Sequence, residues 1–137
     1  MHMPVLNYLA VLVGGVLIFA LGGLWYSPVL FAKRWIALQG ITEEEARAKG
    51  PSPLMFLSVF LCGLLTSFAL SVVIHHFLPM NAGRGAAVAA LCWLGFAGAT
   101  SYGTALFSMK PRALWMIDSI YNLVCFVLVG VMLSVWQ

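Results

Sequence analysis

Gly22-Gly-Leu-Trp-Tyr-Ser-Pro-Val-Leu-Phe-Ala-Lys-Arg34 runs from apolar to aromatic to basic within thirteen residues. That order marks a helix leaving a bilayer, because Trp25 and Tyr26 suit the headgroup level while Lys33 and Arg34 stay in water. Upstream, residues 5–26 supply the roughly 20 apolar residues that one crossing needs. Downstream, Ser27 reads as a helix N-cap with Pro28 at the first helical position. The spacing predicts a short amphipathic helix from Pro28 to about Gln39 along the interface. Val29, Leu30, Phe31, Trp35, Ile36 and Leu38 are available to dip into the apolar layer, with the two cations toward lipid phosphates.

The whole chain has the same character. Of its 137 residues 63% are hydrophobic and 8% charged, where a soluble domain carries roughly 25% charged residues. The length allows four crossings, at about 5–26, 54–77, 86–107 and 112–136, joined by an interfacial and solvated loop at 27–53. The expected fold is therefore all-α: a four-helix transmembrane bundle forming a single integral membrane domain over 1–137, with no separate soluble domain. The first segment is not a signal peptide, because no basic residue precedes its apolar run and the run is too long. The net charge of +3 does not point to nucleic acid, since the cations gather where helices leave the membrane. Lys33, Arg34, Arg47, Lys49, Lys110 and Arg112 fall in the first and third loops, against Arg84 on the opposite side. The positive-inside rule then makes those loops cytoplasmic and both termini external.

Local signals fill in the connections. Gly40 ends the amphipathic helix. Thr42 and Glu45 form a capping-box pattern with Ile41 stapled over Ala46, and Glu43/Arg47 and Glu45/Lys49 lie four apart, so a solvated helical turn follows. Ser52 and Pro53 repeat the start signal before the second crossing. Ser58, Thr66, Ser67 and Ser71 within it are expected to bond their own backbone. Residues 78–85, with Pro79, Asn81, Gly83 and Gly85, read as a turn. Small residues give flat packing surfaces: Ala10, Gly14, Gly15, Gly22 and Gly23 on the first helix, and Gly95, Ala99 and Gly103 at four-residue spacing on the third. A shift of seventy-six places Gly22 on Gly98, Tyr26 on Tyr102, Leu30 on Leu106 and Phe31 on Phe107. Two repeated helix pairs would produce this match, and so would convergence of membrane-exit segments on the same residue types.

Asp118 is the one acid inside an apolar segment, and an intramembrane acid faces protein and has a partner. Asn122 extends its face, Tyr121 lies beside it, and Ser101 and Tyr102 on the third helix should sit at similar depth. Two readings stand: a proton or cation site, or a hydrogen-bonded carboxyl that fixes helix register. His75 and His76 point about 100° apart on a helix and chelate badly; with His2 they are expected to be interfacial side chains, so no metal and no cofactor is implied. Cys62, Cys92 and Cys125 lie in apolar segments as packing residues. No phosphate-binding loop, nucleophile elbow or metalloprotease pattern is present.

Gly23, Leu24, Trp25, Tyr26, Ser27, Pro28, Leu30, Phe31 and Trp35, followed by Gly40, Ile41, Thr42 and Glu43, resemble an uncharacterised family of small bacterial membrane proteins classed as a domain of unknown function. Leu106, Phe107, Leu114, Ile117, Tyr121, Gly130 and Trp136 extend the resemblance over nearly the whole chain. It implies four transmembrane helices in a bacterial inner membrane and no established activity, so it transfers no catalytic residue. The family pattern has an acid after the Leu-Phe pair and an amide at the Asp118 position; Ser108 and Asp118 depart from it, which argues against a shared catalytic group at either place. The leading functional expectation is a non-enzymatic protein that self-associates in the lipid bilayer or serves as an accessory subunit of a membrane complex. The alternative is a small-solute or cation-coupled transporter built on the Asp118 cluster.

Overall fold

The computed structural model describes residues 5–48, 50, 52–77 and 80–136; His2, Lys49, Leu78 and Pro79, all named above, lie outside that set. Helix α1 is Tyr8–Trp25, α2 Ala32–Leu38, α3 Glu43–Ala48, α4 Pro53–His75, α5 Ala82–Trp93, α6 Ala99–Phe107 and α7 Arg112–Val135, with a π-helical turn at Leu94–Gly98 joining α5 to α6. Among the described residues four segments are long and apolar enough to cross a membrane: α1, α4, the continuous Ala82–Phe107 rod, and α7. The chain reads as a multi-pass membrane protein.

Polar side chains start the helices where their first N–H groups lack partners. Asn7 accepts from Ala10 N at 3.1 Å, Thr42 from Glu45 N at 3.1 Å, Ser52 from Met55 N at 3.2 Å and Asn81 from Arg84 N at 2.9 Å. Asn81 moves one boundary. It caps a helix beginning at Ala82, so Gly83 and Gly85 are helical rather than part of the expected turn. Gly40 closes α2 at φ 75°, a left-handed conformation that glycine takes without penalty.

The amphipathic segment is shorter than its sequence pattern. Residues 26–31 wind through turns, with Phe31 N on Trp25 O at 3.1 Å and Ala32 N on Ser27 O at 3.1 Å. Ser27 donates its hydroxyl to Leu24 O at 2.7 Å, finishing α1 instead of capping α2, whose helix begins only at Ala32. Beyond it, Glu43 and Arg47 pair at 3.8 Å on the exposed face of α3.

Two antiparallel hairpins, α1 with α4 and α5 with α7, make the bundle, and α7 also packs against α1 and α4. Small residues permit the close approach that replaces hydrophobic force in lipid. A Cβ at Gly14 would strike the Ser67 hydroxyl, and one at Gly15 would strike Leu64. Across the second hairpin Gly85 faces Ser134, and a Cβ on Gly130 would lie 2.6 Å from Ala89 Cβ and 3.1 Å from Gly85 O. Ser58 and Thr66 bond their own helix at 2.9 and 3.0 Å. Ser67 and Ser71 do not: both are fully buried, and their hydroxyls have no partner among the described residues. They are in the seam for their size.

Gly95, Ala99 and Gly103 lie outside these seams; nothing comes within 4 Å of a Cβ built on Gly95 or Gly103. Gly130→Val should therefore destabilise the fold by about 1–3 kcal/mol through overpacking, whereas Gly95→Val should stay within about 0.5 kcal/mol. Reversible unfolding in detergent checks the contrast, and equal losses at both positions would refute the packing assignment.

Candidate functional site

The π-helical turn decides the shape of the site. α5 runs closely along α7, but beyond Leu94–Gly98 the α6 segment barely touches it. An i→i+5 turn takes up one residue more than an α-turn and shifts the face that follows. Between the splayed end of α6 and the first turns of α7 lies a cleft of about 380 Å³, within the ~300–1,000 Å³ range of small-molecule sites. Ser101, Thr104 and Ala105 form one wall; Leu114, Trp115, Asp118, Ser119 and Asn122 form the other. Ser108 and Lys110 from the reversal, and Gln39 from the end of α2, complete the lining. Met109 makes that reversal with φ 56°, in the left-handed region.

Asp118 sits about 9 Å along α7 from its first residue at 1.5 Å per residue and is half-buried. The Tyr26 hydroxyl donates to its Oδ1 at 2.6 Å, and Trp35 Nε1 donates to the same oxygen at 3.1 Å. The two donor rings meet edge-on with centroids 5.8 Å apart, which holds both in place. No hydrogen bond reaches Oδ2 from any described residue. One carboxyl oxygen is thus committed to the fold, and the other is left for the cleft.

The residues on either side of Asp118 are tied as well. Trp25 Nε1 donates to Ile117 O at 3.0 Å, and Trp93 Nε1 to Ser119 O at 3.0 Å. A helical carbonyl has a second lone pair that can take such a bond. Trp115 Nε1 donates to Ser101 Oγ at 2.9 Å across the cleft. Ser101, Thr104 and Ser108 send their own hydroxyl hydrogens to Gly98 O, Thr100 O and Thr104 O at 3.1, 3.2 and 3.0 Å. The α6 wall therefore shows acceptor lone pairs to the cleft.

Of the residues expected around Asp118, Ser101 and Asn122 do share its cleft. Tyr102 does not line it; its ring packs on Trp115 at 4.7 Å. Tyr121 faces α1, where its hydroxyl donates to Ile18 O at 2.7 Å and lies 2.9 Å from a Cβ built on Gly22. Within the motif, Trp25 and Tyr26 bond α7, Phe31 packs on Trp25 at 4.8 Å, and Pro28 and Leu30 are exposed. Sequence reasoning missed three members. Tyr26 and Trp35 read as headgroup anchors, and Lys110 as a topology charge. A signal was present: an intramembrane acid needs donors, and Tyr26 and Trp35 are at the same end of the bundle. His75 and His76 each donate Nδ1–H to a carbonyl four residues back, Ser71 O at 2.8 Å and Val72 O at 2.7 Å, since a carbonyl only accepts.

Residues 9–134 match the family model described as "Protein of unknown function (DUF1761)", and the chain belongs to that family. No curated protein matches the chain, and no solved structure does. The bond that anchors the first loop can be tested directly. In a double-mutant cycle, Tyr26→Phe and Asp118→Asn should show a coupling of at least about 1 kcal/mol in unfolding free energy. Additive losses would mean the 2.6 Å contact carries no stability.

Proposed function

We propose, taking membership of a family without an assigned activity as the premise, that this is a non-enzymatic membrane protein that binds a small polar solute at Asp118, in the manner of a transporter. The observation that carries this reading is the cleft itself: it reaches an intramembrane carboxyl whose Oδ2 has no partner among the described residues. A carboxyl kept only to fix helix register would be packed around tightly. Farther along the bundle Ile74, Cys125, Val129 and Leu133 are buried in the core that seals it, so the cleft opens on one side.

Several features argue against catalysis. The cleft hydroxyls each donate to a carbonyl of their own helix, so none is paired with a base that could activate it as a nucleophile. Lys33, Arg34, Lys110 and Arg112 are exposed near the mouth. By the positive-inside rule the mouth faces the cytoplasm of a bacterial cell and the termini face outward. Purified protein in liposomes should bind or take up ethylammonium, a small cationic probe, and Asp118→Asn should abolish this while the helical circular-dichroism spectrum is retained. Undiminished uptake by the variant would sink the reading.

A second reading rests on a separate observation. Gly95 and Ala99 are exposed, and the Gly95 and Gly103 positions are open within this chain. Such a surface suits a second copy or another membrane subunit, as in a packing or accessory protein. Gly95→Leu with Gly103→Leu should then reduce an oligomer to monomer by native mass spectrometry; an unchanged mass would dismiss it.

A further inference from the structure

We infer that the cleft takes a zwitterion built on a primary ammonium group, its ammonium end inward at Asp118 and its acidic end outward at Lys110. This rests on the reading of the cleft as a solute site and adds the chemical class of the solute.

The donor and acceptor positions carry the inference. The inner end offers acceptors. Asp118 Oδ2 is unbonded among the described residues, and the Thr104 and Ser108 hydroxyls have spent their hydrogens on Thr100 O and Thr104 O. The Trp115 indole N–H is spent too, on Ser101 Oγ, which leaves the ring itself to meet a cation. A group with several N–H donors and a positive charge satisfies such a wall; a carboxylate or phosphate there would face lone pairs. The outer end is the opposite. Lys110 lines the same cleft, is exposed, and forms no ion pair among the described residues. An ammonium offers three donors and no acceptor, so it calls for an anionic group.

The cleft thus presents one acid and one base, set apart along its length. Lys110 and Asp118 are eight residues apart, about 12 Å of helical rise, which the flexible four-carbon lysine stem can shorten to the span of a small zwitterion. The matching chemistry is an amino group two or three carbons from a carboxylate or phosphate. It occurs in free solutes such as β-alanine or phosphoethanolamine and in the headgroup of an ethanolamine lipid, which would reach the cleft from the membrane interface.

The test is a binding titration of the full chain in nanodiscs of phosphatidylcholine and phosphatidylglycerol, with ethylammonium, β-alanine, phosphoethanolamine and phosphocholine as probes. At least one of the two primary-ammonium zwitterions should bind about tenfold more tightly than ethylammonium, and Lys110→Gln should erase that advantage while ethylammonium binding persists. Phosphocholine, which has charge but no N–H, should bind at least tenfold more weakly than phosphoethanolamine. Equal affinity for ethylammonium and both zwitterions, an advantage that survives Lys110→Gln, or phosphocholine binding as well as phosphoethanolamine would each overturn the inference and leave the solute site standing. No binding of any probe, or binding unchanged in Asp118→Asn, would remove the solute site and the inference together. With binding established, phosphatidylethanolamine added to the nanodiscs identifies the source: competition with the soluble zwitterion assigns the site to a lipid headgroup, and no competition assigns it to a free solute.

Discussion

An N–H or O–H donor inside hydrocarbon has no water to turn to, so it must find an acceptor within the protein. Here that constraint converges on one turn of α7. Three consecutive residues, Ile117, Asp118 and Ser119, accept indole hydrogens from Trp25, Trp35 and Trp93, which come from the end of α1, from α2 and from α5. Tyr26 adds a fourth donor at the same point. Each bond removes the cost of an unmet polar group, and together they fix the loop after α1 and the second hairpin to a common strip. The bundle is organised around polar satisfaction at one end of α7 and around close packing at the other.

The packing end follows a different logic. Gly14 against Ser67 and Gly85 against Ser134 bring helix backbones together, and Ser134 returns its hydrogen to Gly130 O at 2.7 Å. The unpartnered hydroxyls of Ser67 and Ser71 stand against stability, at about 1–3 kcal/mol for a buried unmet group. Their retention in the seam is a matter of volume. The tight end resists rearrangement, while the looser end, with its splayed α6 and its cleft, carries the polar side chains.

The fold was largely legible because its determinants are local. Apolar run length, the Ser52-Pro53 start and the Thr42 cap act within a few residues, and each is found in the structure. Where local signals competed, the pattern misled. Ser27-Pro28 has the form of a helix start, but the Leu24 carbonyl captured the hydroxyl; Asn81 turned an expected glycine-rich turn into helix. The site was half legible. Asp118 announces itself as an acid among apolar residues, and Ser101 and Asn122 follow from depth and periodicity. Trp35 and Lys110 do not, because they reach Asp118 from residues 83 and 8 positions away through the tertiary fold, and an aromatic near a membrane exit has a ready explanation at the headgroups. The groove of Gly95, Ala99 and Gly103 was visible as a pattern, but which surface it faces is set by the π-helical turn, which periodicity reasoning does not contain.

That turn has a consequence in the arithmetic of insertion and deletion. An α-helix advances about 100° per residue, so a helix that accommodates one extra residue in a π-turn presents a different side of everything after it. Removing a single residue between Leu94 and Gly98 would let the rod run straight as α-helix, rotating Ser101, Thr104 and Ser108 by that angle about the axis relative to Trp93, whose indole bond to Ser119 O marks the last fixed point before the turn. The acceptor wall would then leave Asp118 without any substitution in either. In length terms the cleft is one residue deep: its existence depends on the count of residues between two anchored tryptophans, Trp93 and Trp115, as much as on which residues they are.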